Sequence, residues 1–110
     1  MSALADRIRR ARESQVEAGG HSFTIRRPTD AAAASLGIAS AVDIVGRFTV
    51  GWTLKEIDLV PGGSAVDVPF DAEAFEEWVS DRPDIIAALA GAIVEAYKAH
   101  VDKREGVEKN

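Results

Sequence analysis

Two adjacent glycines, Gly19-Gly20, lie between Gln15-Val16-Glu17-Ala18 and His21-Ser22-Phe23-Thr24-Ile25-Arg26. No other segment constrains the fold as much. The flanks alternate apolar and polar residues, which is the period of a half-buried strand. A tight loop between two strands needs φ > 0 at both central positions, and glycine supplies this without steric cost. The segment predicts a β-hairpin with Val16, Phe23 and Ile25 on the buried face. Gln15, Glu17, Ser22, Thr24 and Arg26 face out. A two-stranded hairpin is not stable alone, so the rest of the chain must cover it.

The rest reads as helical. Residues 2–13 predict a short helix with Ser2 as N-cap and Asp6 in the first turn. Leu4, Ile8 and Ala11 form its narrow apolar stripe, and a helix this short must dock or fray. Pro28 holds Arg27 extended. Thr29 caps a helix through Asp30-Ala31-Ala32-Ala33-Ala34-Ser35-Leu36 that Gly37 ends. Between 38 and 52, Ile38, Val42, Val45, Phe48 and Trp52 recur at steps of three and four. This predicts a helix, with a β-branched strand at 47–52 as the alternative. Thr53 and Glu56 have the spacing of a capping box, flanked by Trp52 and Ile57 as a hydrophobic staple, for a short helix reaching Leu59. Pro61-Gly62-Gly63-Ser64 is a loop and Val66-Asp67-Val68-Pro69 is extended. Asp71 caps a helix burying Phe75, Trp78 and Val79, with Phe70 and Phe75 at staple spacing. Asp81-Arg82-Pro83-Asp84 opens a last helix striped by Ile85, Ile86, Leu89, Ile93, Tyr97 and Val101. It is expected to reach about residue 104. The expectation is a predominantly helical α+β domain over 1–104 with an N-terminal hairpin, followed by a charged, flexible tail over 105–110.

Composition narrows the function. The chain has 110 residues, 46% of them apolar, but nineteen are alanine, which leaves enough bulky residues for one small core. It has no cysteine, which removes disulfide scaffolds, thiol nucleophiles and cysteine-ligated zinc. No apolar run approaches the length of a membrane helix. Charges at Asp6, Arg7, Arg9 and Arg10 occupy the place of a signal peptide's apolar stretch, so the expected setting is cytoplasmic. The net charge of −5 divides into +3 over residues 1–27, −9 over 28–97 and +1 beyond. An acidic body argues against nucleic acid as a partner.

No catalytic or metal-binding pattern emerges. His21 reads as a turn residue, and His100 as a cation near a helix C-terminus. No His-x-x-x-His or carboxylate set forms a metal site, and no cofactor motif is present. Pro61-Gly62-Gly63-Ser64 lacks the lysine and the strand–loop–helix frame of a phosphate loop. Glu73, Glu76 and Glu77 read as a solvated helix face. The serines have no His/Asp partners at recognisable spacing. Arg7, Arg9, Arg10, Arg12, Arg26 and Arg27 form a candidate basic patch for an anion or nucleic acid. They equally suit charge complementation of the acidic body, within the chain or between copies, and no aromatic residue interleaves them for base stacking. Trp52 and Trp78 suit the core, yet each lies beside an element boundary where a half-exposed tryptophan can anchor a partner. Trp52, Phe70, Phe75, Trp78 and, less centrally, Tyr97 are the candidate apolar partner surface.

The order and wording of several segments also carry a resemblance. "VEAGGHSFTIRRPTD" follows an N-terminal helix ending in "ARE". Then come "FTVGWTLKEIDLVPGG", "VPFDAEAFEEWVSDRPD" and "AIVEAYKAHVDKREGVEKN". Over nearly the whole chain this resembles the tail assembly chaperones of long-tailed bacteriophages and prophages. The resemblance implies a non-enzymatic role without cofactor: coating the apolar tape measure protein, helping to recruit tube proteins, self-associating, and leaving before the particle is finished. It also implies a frameshifted longer product, since Glu108-Lys109-Asn110 is compatible with a slippery codon run. A structural tail-completion or connector protein of the same module is the first alternative. A nucleic-acid-binding regulator using the N-terminal arginines is the second.

Overall fold

The hairpin forms as its glycines require. Strands β1 (Glu13–Ala18) and β2 (His21–Arg26) pair antiparallel, Val16 opposite Phe23 and Ala18 opposite His21. Gly19 and Gly20 have φ of 58° and 81°. Gly19 is needed twice over, because a Cβ there would also meet the Ile85 side chain at 2.7 Å. The computed structural model describes residues 2–109, and side chains for 2–106.

Helix α1 (Ala3–Arg10) precedes the hairpin, and α2 (Asp30–Ala33), a 3-10 turn (Leu36–Ile38) and α3 (Ala41–Phe48) follow it. The chain continues as β3 (Thr49–Trp52), α4 (Glu56–Leu59), α5 (Ala72–Val79) and α6 (Pro83–Lys109). The sheet order is β1-β2-β3, all antiparallel, and the fold is α+β. The expected caps at Ser2, Thr29 and Asp71 each accept a backbone N–H two or three positions into their helices, from Ala5, Ala32 and Ala74 at 3.0 Å. No helix among the described residues is long and apolar enough to cross a membrane.

The core lies between one sheet face, α3, α5 and α6. Phe23 and Ile25 from β2 meet Val45, Phe75, Val79, Leu89 and Ile93, all essentially solvent-free. Phe23 sits 6.1 Å from the Phe75 ring and 6.0 Å from the Trp78 ring, in tilted geometry. Each such side chain contributes about 1.5–3 kcal/mol by leaving water. Ile85, Ile86, Leu89 and Ile93 are buried as their stripe predicts.

Five expectations change. The stretch 38–52 is not one helix: α3, capped by Ser40, ends at Phe48, and Thr49–Trp52 becomes the third strand. Its pairing sets Phe23 opposite Trp52, Thr24 opposite Gly51 and Ile25 opposite Thr49, with a bulge between Thr24 and Ile25. Tertiary pairing overrides a helical apolar spacing here, and the third strand gives the hairpin the support it lacks alone. Secondly, Thr53 caps no helix. Its N–H donates to Ser22 O at 3.0 Å and its Oγ1 accepts from Ser22 N at 3.2 Å, which prolongs the strand pairing. The helix starts two residues later, where Lys55 N donates to Asp58 Oδ2 at 2.8 Å, and exposed Ile57 makes no staple with Trp52. Thirdly, α2 stops at Ala33, before Gly37, where Ser35 N and Oγ both donate to Ala32 O. Fourthly, α1 ends at Arg10 rather than 13 and its stripe is undocked, with Leu4 63% and Ile8 54% exposed. Lastly, α6 continues past 104 to Lys109. Asn110, the last residue of the proposed recoding site, lies outside the described residues.

Candidate functional site

The expected apolar partner surface separates into core and rim. Phe75 (1% exposed) and Trp78 (7%) are core residues; Phe75 is closed off from solvent, and Trp78 reaches only the wall of an open cleft with Leu59, Val60 and Arg82. Trp78 lies beside the end of α5 and Phe75 at staple spacing from Phe70, but α5 turns both inward onto Phe23. Trp78 is further fixed by its indole N–H, which donates to Asp58 O at 2.9 Å, and by the Arg82 guanidinium 4.1 Å from its ring. Trp52 and Phe70 are half-buried and edge-to-face at 5.0 Å. Trp52 donates from its indole N–H to Val68 O at 2.7 Å. Tyr97 lies away from these four, on the distal half of α6.

Tyr97 belongs to a polar clasp that spacing along the chain does not reveal. Its hydroxyl donates to Asp30 Oδ1 at 3.0 Å, His100 Nε2 lies 3.6 Å from the same oxygen, and Arg104 pairs with Asp30 Oδ2. Tyr97, His100 and Arg104 share one helix face, so one carboxylate at the start of α2 ties down three positions of α6. The Tyr97 hydrogen bond, followed by the Arg104 and His100 charges, holds the Asp30 carboxyl below its ordinary value. The same hydrogen bond raises Tyr97. The clasp is an exposed structural contact rather than reactive chemistry.

The arginines do not form one free patch. Arg9 pairs with Asp6 at 3.2 Å, and Arg26 with Glu13 at 2.7 Å across the hairpin. Arg27 donates from Nη1 to Pro28 O at 3.1 Å, and its N–H donates to the Arg12 carbonyl at 2.9 Å, which pins the link from α1 to β1. Arg10 reaches Asp6 O through Nε at 3.4 Å. Arg7 and Arg10 are the exposed pair without a carboxylate partner among the described residues.

Two surfaces missed at the sequence level expose aliphatic side chains. The first is the loop over residues 55–67. Glu56 N donates to Val66 O and Ile57 N to Ser64 O, both at 2.9 Å, while Lys55 Nζ bridges to Asp67 Oδ1 at 2.8 Å. The Asp67 hydrogen bond raises the Lys55 pKa. Gly63 lies where a Cβ would strike Glu56 O at 2.7 Å, so the loop closes tightly. On this closed loop Ile57, Val60 and Val66 are each more than half exposed. The second is an open groove of about 610 Å³ with Ile38, Ala39 and Val42 on one wall and Glu76, Glu77 and Ser80 of α5 on the other. Ile38 is 92% exposed. The 3.6-residue spacing of Ile38 and Val42 signalled an apolar face, but not that no neighbour covers it. Among the described residues, no group of three His, Asp or Glu side chains is arranged to hold a metal.

No protein-family model matches the chain, and neither a curated protein nor a solved structure matches it.

Proposed function

We propose that the chain is a non-enzymatic chaperone of bacteriophage tail assembly, acting in the host cytoplasm on a tape measure protein. The carrying observation is the closed loop 55–67, which presents Ile57, Val60 and Val66 to solvent on a backbone fixed by its own hydrogen bonds. Lone exposed aliphatics are ordinary, and three of them within ten residues of one ordered segment suit an interaction surface. An apolar helical client lies on this face through its own aliphatic stripe. Each contact is small and reversible, and many copies along a long client multiply it. The resemblance of its segments to those of tail assembly chaperones supports the same reading. Tube proteins are the second partner it implies.

The test is co-expression with a tape measure fragment. The fragment is expected to stay soluble and co-purify with the wild-type chain. The double variant Ile57→Ser/Val66→Ser, altered only at exposed positions, is expected to lose most of that rescue. No rescue by the wild type overturns the chaperone reading. Full rescue by the double variant removes the loop from it. Retention of the chain in purified particles, read by mass spectrometry, makes it a structural tail component instead.

A further inference from the structure

Helix α1 and the groove beside α3 are complementary in shape of apolar pattern and in charge, and neither is covered. On α1, Leu4 and Ile8 form an exposed i, i+4 stripe, bordered on one side by Arg7 and Arg10. In the groove, Ile38, Ala39 and Val42 form an apolar wall that faces Glu76 and Glu77, and Asp43 adds a third carboxylate. None of these three carboxylates forms an ion pair among the described residues. The groove's one cation, Arg47, sits on its Ser35 side, with Nη1 on Ser35 Oγ at 3.3 Å and its guanidinium over the Phe48 ring at 5.0 Å, and pairs with none of the three carboxylates, so the groove keeps a net negative charge. The whole chain repeats the pattern, +3 over residues 1–27 against −9 over 28–97.

The link between α1 and β1 is short and pinned by the Arg27-to-Arg12 hydrogen bond, so α1 is held at the open end of the hairpin and lines no part of the groove. We propose that α1 of one copy docks in the α3–α5 groove of a second copy. Leu4 and Ile8 then lie against Ile38 and Val42, and Arg7 and Arg10 meet Glu76 and Glu77. The contact is head-to-tail: each copy offers a helix and a groove, so association continues into a ring or an open string rather than stopping at a dimer. Docking also supplies the support that an eight-residue helix lacks in water. The surface is separate from Ile57, Val60 and Val66, and self-association does not depend on what those residues bind.

Two single variants test this on the full chain. Leu4→Asp and Val42→Asp each place a carboxylate in the first turn of a helix, where it favours the helix dipole, and each replaces an exposed side chain. Compared at a concentration low enough for the wild type to be monomeric, both are expected to keep its circular dichroism spectrum and melting temperature. By sedimentation, the wild type is expected to grow past two chains with concentration, and to shrink as salt rises from about 50 to 500 mM. Each variant alone is expected to be monomeric. Leu4→Asp retains an intact groove and Val42→Asp an intact helix, so their equimolar mixture is expected to form a heterodimer and stop there. A wild type that stays monomeric at high protein concentration overturns the proposal. So does a mixture that stays monomeric, or a Leu4→Asp variant that associates like the wild type. A monomeric wild type whose α1 arginines bind duplex DNA in a salt-sensitive way assigns the helix to nucleic acid instead.

Discussion

Helices α1 and α5 have the same length, eight residues, and each begins on a side chain that caps it, Ser2 and Asp71. Both carry an apolar stripe with charged residues on the other faces. Yet α5 buries Phe75, Trp78 and Val79, and α1 buries nothing. Caps and amphipathicity therefore specify that a helix forms and which face seeks cover, while the neighbours decide whether cover exists. For α5 the neighbour is the Phe23 side of the sheet. For α1 no element among the described residues provides it.

The largest effect that separates the two helices is loss of a side chain. At a concentration where the chain is monomeric, Phe75→Ala is expected to cost about 3–5 kcal/mol in urea denaturation, whereas Leu4→Ala stays within about 0.5 kcal/mol. An equal cost from both would show that α1 is packed in solution. Next come the glycines. Gly19→Ala forces a side chain into positive φ and into Ile85, and is expected to cost about 1–3 kcal/mol. Gly37→Ala, with nothing within 4 Å and no positive φ, is expected to be neutral or mildly stabilising in the same assay. The caps give a smaller contrast. Asp71→Ala is expected to lower global stability by about 1 kcal/mol, and Ser2→Ala to loosen α1 alone, seen as faster amide exchange over α1 with an unchanged unfolding midpoint.

The smallest effect concerns the α2–α6 clasp. The folded-state pKa of Asp30 is depressed, so its contribution is present above the unfolded value near 3.8 and fades as pH falls through the folded value. Asp30→Asn is therefore expected to lose less stability than wild type between about pH 5 and pH 3, measured by chemical denaturation. Parallel acid limbs for the two proteins would mean that the clasp is open in solution.

What could be read in the sequence was local. The Gly19-Gly20 turn, the caps at Ser2, Thr29 and Asp71, and the Ile85-to-Ile93 stripe depend on neighbours a few positions away. The features that escaped depend on distant partners. Residues 49–52 have an apolar spacing that fits a helix and a β-branched content that offers a strand as the alternative, and the edge of β2 decides for the strand. Thr53 has the spacing of a cap, but Ser22 takes its hydroxyl. Asp30 looked like an ordinary first-turn acid, and nothing nearby marks Tyr97, His100 and Arg104 as its partners. The end of α5 at Trp78 is visible in the sequence, and so is the spacing of Phe70 and Phe75, but the sheet that buries Phe75 and Trp78 is not. The candidate surfaces at Ile38, Val42, Ile57, Val60 and Val66 were hidden for the converse reason: apolar spacing predicts burial, and exposure follows only from a missing neighbour.

The contact between Gly19 and Ile85 also has a meaning in time. A chain made from its N-terminus finishes the hairpin long before the helix that closes over its turn. At roughly 5–20 residues per second, the interval between completing Arg26 and completing Ile93 is on the order of 3–13 s. Throughout it, Phe23 and Ile25 lack the part of their cover that Leu89 and Ile93 supply, and the strand edges can pair with other chains. The outer face of the hairpin is suited to that interval. Gln15 donates to Thr24 Oγ1 at 2.8 Å and Arg26 pairs with Glu13 at 2.7 Å, both across the strands and neither needing the core. These polar rungs favour the native register whenever the hairpin forms, and the charges among them discourage strand pairing between nascent chains.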